Sequence, residues 1–353
     1  MPKPLPAVLL FAILAAPLAA QSPSPQPGFD CSKAATPQEK AICASPELSK
    51  ADAEMTAAYK AWLAAAPAGS QEAIRQSQRL WLRTRTVSCK PGDADTPLAK
   101  CLLSSDQSRT KDLAGMIEHR SGTLFVWQPL TLTAPDSAEV AQMMHEDGRP
   151  DFGTVTVSWP QAKSTTPEWV AWNKAIAAIA QTDYSGEKPK PAYTRESAVD
   201  QDVDVAVTFN SVTDNLVSTA IQSYFYGHGA AHPNHGISQF NWLLKEKREL
   251  KPADLFLPQS NWSTELYKRT NQYLHKKLDS DGESYESFAQ PGEMKKTVQA
   301  LVIDPHRWQI DKEGITIDFE PYEVACYACT PPSFTISWDS LKPLLNPAFQ
   351  IPR

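Results

Sequence analysis

The sequence predicts two domains: a small all-α helical hairpin stapled by disulfides, then an α+β domain with a mainly antiparallel sheet. Three observations carry this. Four cysteines, Cys31, Cys43, Cys89 and Cys101, bracket two segments of helical periodicity. Beyond them, stretches of alternating polarity follow in meander order, with helical stretches gathered between them. The length of 353 residues exceeds the usual single domain of roughly 100–200 residues.

Residues 1–20 read as an export leader. Lys3 charges a short n-region, residues 7–18 are apolar, and Leu18-Ala19-Ala20 offers small residues for cleavage near Ala20. A run of about a dozen apolar residues is short for a bilayer span, which takes ~20. No other stretch is apolar enough, so the expectation is a periplasmic or secreted protein without a membrane span. Residues 21–28 are a Pro/Ser-rich linker. Behind such a leader, paired cysteines read as structural staples.

Charge is uneven. Residues 29–118 carry 12 Lys/Arg and 11 Asp/Glu, a net of +1, whereas residues 119–353 carry 21 and 29, a net of −8. The acidic second part disfavours nucleic acid and anionic membrane as partners and would attract a basic protein.

Within residues 29–118, Thr36-Pro37-Gln38-Glu39 has the form of a capping box that opens a helix. A second start follows at Ser45-Pro46-Glu47, after which Leu48, Met55, Tyr59 and Trp62 recur at helical spacing. Pro67-Ala68-Gly69-Ser70 ends that helix, and Ser70 is placed to cap the next. Ile74, Ser77, Trp81 and Ser88 then share one face, with Arg75, Arg79 and Arg83 on another. Two helices joined by a short turn pack antiparallel. That arrangement puts Cys43 near Cys89 and leaves Cys31 for Cys101. Four cysteines allow three pairings, of which this nested one is preferred. Trp81 and Tyr59 read first as core residues, and Arg85 with Asp52 as an ion pair inside the hairpin.

Several of these residues carry a resemblance. Cys31, Thr36 with Glu39, Ile42-Cys43, Leu48, Asp52, Tyr59, Gln78, Trp81, Arg85, Cys89, Cys101 and Arg109 resemble the LprI-type lysozyme-inhibitor family of small exported four-cysteine helical domains. The helical-domain motif is the run Gln78-x-x-Trp81-x-x-x-Arg85. The resemblance implies lysozyme, a basic protein, as the partner.

A short link at 119–123 leads to the second domain, 124–353. Residues 124–133 and 152–159 alternate as strands do, and 169–180 is an alanine-rich helix. Two strands follow at 202–212 and 216–226, then a third at 238–245. Residues 266–278 read as a helix, and 315–319 and 333–337 as late strands. Between two of the strands lies Tyr224-Phe225-Tyr226-Gly227-His228-Gly229-Ala230-Ala231-His232-Pro233-Asn234, a loop or distorted strand end. His228, His232 and His235 are spaced for one helical face, but glycine and proline forbid a helix there and no acidic residue has ligand-like spacing. No metal and no cofactor are therefore expected.

The Gly-x-Gly-Ala-Ala-His-Pro-Asn run, the Lys247-Arg248-Glu249-Leu250 turn, Asp254-Leu255-Phe256 and the later Phe319-Glu320-Pro321-Tyr322-Glu323-Val324-Ala325 look like the extracellular part of RsiV-like lysozyme-sensing anti-sigma factors. Cys326 and Cys329 depart from that pattern. Thr330-Pro331-Pro332 bars the helix that a redox Cys-x-x-Cys pair would need, so a local structural disulfide is the expectation.

No nucleophile, metal-hydrolase or phosphate-loop motif is present, so no catalytic residue is assigned and the chain is not read as an enzyme. The expectation is an exported envelope protein that binds and inhibits lysozyme, protecting peptidoglycan. Tyr226, His228, His232, Asn234 and His235 are its candidate partner-binding residues. The alternatives are a peptidoglycan- or envelope-binding protein without inhibitory activity, or a metal-dependent wall hydrolase or deacetylase.

Overall fold

The computed structural model describes residues 26–92, 97–146, 149–183, 189–280, 292–329 and 333–352. The leader expected at 1–20 and most of the linker expected at 21–28 lie outside the described residues, as does Thr330-Pro331-Pro332.

Helix α1 (Pro37–Ala44) starts at the predicted capping box. The Thr36 hydroxyl accepts from the Glu39 amide, and the Glu39 carboxylate accepts from the Thr36 amide at 2.9 Å. Ser45 caps α2 (Pro46–Ala65), whose buried stripe includes Leu48, Met55 and Trp62. A turn leads to α3 (Gln71–Ser88), where Ser70 makes no capping bond. A further helix, α4 (Leu98–Ala114), escaped the sequence reading. Its buried residues are Leu102, Asp106 and Leu113, and a carboxylate in the middle of the stripe hides the apolar period.

The cysteines pair differently from the nested expectation. The bridges are Cys31–Cys43 and Cys89–Cys101, with Cα–Cα distances of 5.8 and 5.5 Å. Cys43–Cys89 and Cys31–Cys101 are not formed. The start of α1 does approach the end of α3, since the Gln38 side-chain amide donates to the Cys89 carbonyl at 3.1 Å. Yet each sulfur finds its partner across the loop beside it. Cys31 lies in the 3-10 turn before α1, whereas Cys89 ends α3 and faces the first turn of α4.

Strands β1 (Ile117–Arg120) and β2 (Thr123–Pro135) form a hairpin through Ser121 and Gly122, at φ 46° and 75°. Two successive positive φ values suit the right-handed twist of a two-residue hairpin. The stretch read as a link at 119–123 thus includes this turn. After α5 (Ala138–Glu146), β3 (Phe152–Ala162) pairs antiparallel with β2. Helix α6 (Pro167–Ala180) then crosses to β4 (Gln201–Val212), which is parallel to β3. Parallel neighbours need such a crossover. Strands β5 (Leu216–Gly227), β6 (Asn234–Leu243) and β7 (Arg248–Glu249) complete a seven-stranded sheet in sequence order.

Side chains alternate across this sheet. Val155 and Val157 of β3 and Val203, Val205 and Val207 of β4 point to α6, where Trp172 and Ile176 are fully buried. The helical region seats against β2, with Met55, Ile74 and Leu113 clustering on Val126. The Trp62 indole donates to the Trp127 carbonyl at 2.9 Å, and the Arg83 guanidinium lies 3.7 Å from the centre of the Phe152 ring.

The remainder comprises α7 (Pro252–Leu255), α8 (Trp262–Ser280), α9 (Glu293–Ile303), β8 (Trp308–Ile310), β9 (Gly314–Ile317), β10 (Phe334–Ser337) and α10 (Trp338–Leu341). The last three strands form a second antiparallel sheet with β9 in the middle. Leu266 and Leu274 of α8, Val298 of α9, Trp308 and Ile315 share its core.

Candidate partner-binding site

The segment singled out in the sequence is the end of the β5–β6 hairpin. Tyr224 to Gly227 belong to β5 and Asn234 and His235 to β6, with Tyr224 opposite His235 and Phe225 opposite Asn234. Residues 228–233 make the turn. Gly229 sits at φ +86°, a conformation that glycine adopts without a Cβ penalty.

His228 pins the base of this turn. Its side chain is 1 % exposed, with Nδ1 2.9 Å from Asp136 Oδ2 and Nε2 3.3 Å from Asp202 Oδ2. Its backbone amide donates to the Asp200 carbonyl at 2.8 Å. Burial lifts the Asp136 carboxyl above its usual range, while the hydrogen bond to His228 opposes that rise. A buried imidazole between two carboxylates cannot meet a partner, so His228 positions the tip. Tyr226 is likewise engaged, its hydroxyl accepting from Arg149 Nη1 at 3.0 Å.

The outward groups are His232, Asn234 and His235, all exposed. The His235 ring meets Tyr224 edge-on at 5.3 Å. The His232 ring lies 4.6 Å from that of Tyr327, whose hydroxyl donates to the Pro233 carbonyl at 3.1 Å. Tyr327 stands in the short loop closed by the Cys326–Cys329 disulfide. Beside it, Tyr322 is 55 % exposed, with its ring 5.7 Å from Tyr327. The chain around Tyr322 is tied down. Glu320 accepts from the Ile237 amide at 3.0 Å, and Glu323 pairs with Arg307 at 2.7 Å.

The tip is thus a preorganised edge of imidazole, amide and phenol groups, suited to hydrogen-bonding carboxylates or sugar hydroxyls on a partner. Sequence reasoning named Tyr322 within the Phe319–Ala325 run but counted neither it nor Tyr327 among the partner-binding residues. The local signals were that run and the neighbouring Cys-x-x-Cys, and nothing in the sequence showed that this loop folds against the hairpin. The three histidines diverge, and among the described residues no group of three His, Cys, Asp or Glu could hold a metal ion.

Gln78, Trp81 and Arg85 hold the helices together. Arg85 is almost fully buried, hydrogen-bonded to Asp106 and 3.8 Å from Asp52. Burial lifts the Asp106 carboxyl, and the charge of Arg85 works against that rise. Gln78 accepts from Arg109 Nε and Nη2 at 3.2 and 3.1 Å. Both guanidinium groups approach the Trp81 ring, at 4.9 Å from its centre for Arg85 and 5.6 Å for Arg109. Asp52 was expected beside Arg85; Asp106 was not, because it lies on the unread helix α4.

Comparison with known proteins finds two families along the chain. The family described as lysozyme inhibitor LprI matches residues 31–113. The family described as protein of unknown function DUF3298 matches residues 253–339. An uncharacterized protein of Rhizobium meliloti (strain 1021) is 31% identical over 134 residues, which cover 32% of this chain and 94% of the relative. Two solved DUF3298 family structures are similar. One, from Bacteroides fragilis NCTC 9343, is 14% identical, with a TM-score of 0.40. The other, from Pseudomonas aeruginosa PAO1, is 13% identical, with a TM-score of 0.42. In both cases the match covers 63% of this chain and 94% of the solved one.

Proposed function

We propose, from the premise that this chain belongs to the LprI lysozyme-inhibitor family through its N-terminal domain and carries a DUF3298 domain behind it, that it is an exported envelope protein that binds lysozyme and blocks its attack on peptidoglycan. The observation that carries this reading is the match of residues 31–113 to the LprI family. The three disulfides fit an oxidising compartment, periplasmic or external.

The exposed tip of the β5–β6 hairpin is the element that enters the partner's cleft. Support comes from its pinned base, its outward His232, Asn234 and His235, and its likeness in sequence to RsiV-like lysozyme sensors. Lysozymes work with a pair of cleft carboxylates, and an imidazole–amide edge is complementary to such groups. The family motif residues Gln78, Trp81 and Arg85 serve as scaffold, and the acidic second part steers a basic partner toward the tip.

The test replaces residues 229–232 with a two-residue Asn-Gly turn and measures lysozyme inhibition beside the unfolding midpoint. The expected outcome is lost inhibition with an unchanged midpoint. Full inhibition by the shortened chain contradicts the assignment.

A further inference from the structure

An open cleft of about 950 Å³ lies between the helical region and the face of the large sheet away from α6. Its floor is built by the alternation that sends the valines of β3 and β4 toward α6. On the opposite side stand Thr156 of β3, Asp202 and Asp204 of β4, Gln222 and Tyr224 of β5, and His235 of β6. The facing wall comes from α3 and α4 and offers the apolar surfaces of Leu80 and Trp81, with Asp112 beside them.

Several features narrow the ligand chemistry. Asp112, Asp202 and Asp204 border the cleft, while Arg109, the arginine among its described lining residues, is turned onto Gln78. An acidic lining repels polyanions. The floor strands β3 to β6 are interior, and the sheet's edges are β1 and β7. A peptide therefore finds no free backbone ladder to pair with, and any ligand is read by side chains. A cation is poorly served as well. Asp202 Oδ1 already accepts from the Thr154 amide and hydroxyl at 3.0 and 2.6 Å, and its Oδ2 lies 3.3 Å from His228. Asp204 is open to cleft solvent, yet the enclosing walls desolvate it and lift its carboxyl above the usual range, which weakens its charge.

What remains is a flat array of carboxyl, amide, phenol, hydroxyl and imidazole groups facing an apolar wall. We infer that this cleft binds a neutral oligosaccharide, whose hydroxyls pair with Asp204, Gln222 and Tyr224 while its C–H faces lie against Leu80 and Trp81. The cleft meets the hairpin tip at His235, which neither variant below alters, so sugar binding and lysozyme inhibition are measured independently on the same chains.

The experiment is calorimetric titration of the oxidised full chain with the tetramer of N-acetylglucosamine and, in parallel, with the cationic glucosamine tetramer. Binding of the neutral tetramer is expected, with Kd raised about tenfold or more by Asp204→Asn and by the double variant Gln222→Ala, Tyr224→Phe. Both variants remove cleft hydrogen-bonding groups without opening a buried core, and their unfolding midpoints are measured alongside. Three results overturn the inference: no heat with the neutral tetramer at millimolar concentration, binding of the cationic tetramer alone, or neutral binding that both variants leave unchanged.

Discussion

Arg85 shows how a single side chain organises the helical region. Its guanidinium neutralises Asp106 and stands 3.8 Å from Asp52, both in the interior. Removing one partner of a buried pair leaves uncompensated charge, at a cost of about 3–5 kcal/mol. Arg85→Ala is expected to lower stability by about that amount in urea unfolding; a loss below about 1 kcal/mol contradicts the buried-network reading. At the tip, His228 is expected to act through geometry. His228→Ala removes the contacts to Asp136 and Asp202, so it should weaken lysozyme binding even though the imidazole cannot touch a partner. Affinity equal to that of the unaltered chain would show that the pin is dispensable. The sequence reading paired Arg85 with Asp52 but placed His228 among the partner-binding residues, because burial between Asp136 and Asp202 depends on strands brought together from distant parts of the chain.

At the scale of elements, the start of α1 was the most legible feature, because a capping box is written in four consecutive residues. Thr36→Ala is expected to cost about 1 kcal/mol. Glu39 is held below its usual carboxylate range by the backbone amides of Thr36 and Ala35. A carboxyl depressed in the folded state contributes fully above its unfolded value and loses that contribution as pH falls through the folded one. The gap in urea midpoint between the chain and Glu39→Gln is therefore expected to narrow as pH drops below about 4.3; a constant gap would contradict the cap. Helix α4 was illegible because Asp106 interrupts its stripe, and without α4 the cysteine pairing could not be read. Strands β2 and β3 were legible from the alternation at 124–133 and 152–159, and β4 and β5 as adjoining strand-forming runs separated by Thr213-Asp214-Asn215. Short β1, β7 and β8 were not, since so few residues carry no period. Each helical-region bridge joins residues 12 apart, and removing one should cost about 3 kcal/mol. Mass mapping of the unreduced chain checks the connectivity, and a Cys43–Cys89 peptide would contradict it.

For the whole molecule, the two parts behave as one construction. Trp62 bonds to the Trp127 backbone, Arg83 covers Phe152, and the cleft lies between the helices and the sheet. The boundary of composition near residue 118 was visible in the sequence, but the contact across it was not, since Val126 alternates like any strand residue. The net charge of −8 over residues 119–353 gives the account its long-range term. Steering between opposite charges is screened over about 8 Å at physiological salt, so inhibition of a basic lysozyme should weaken as salt rises. The most direct measurement is the clearing of a peptidoglycan suspension by animal-type lysozyme, with and without the purified oxidised protein. Dose-dependent protection that salt diminishes is the expected result. Clearing at the uninhibited rate with the protein in large excess would contradict it.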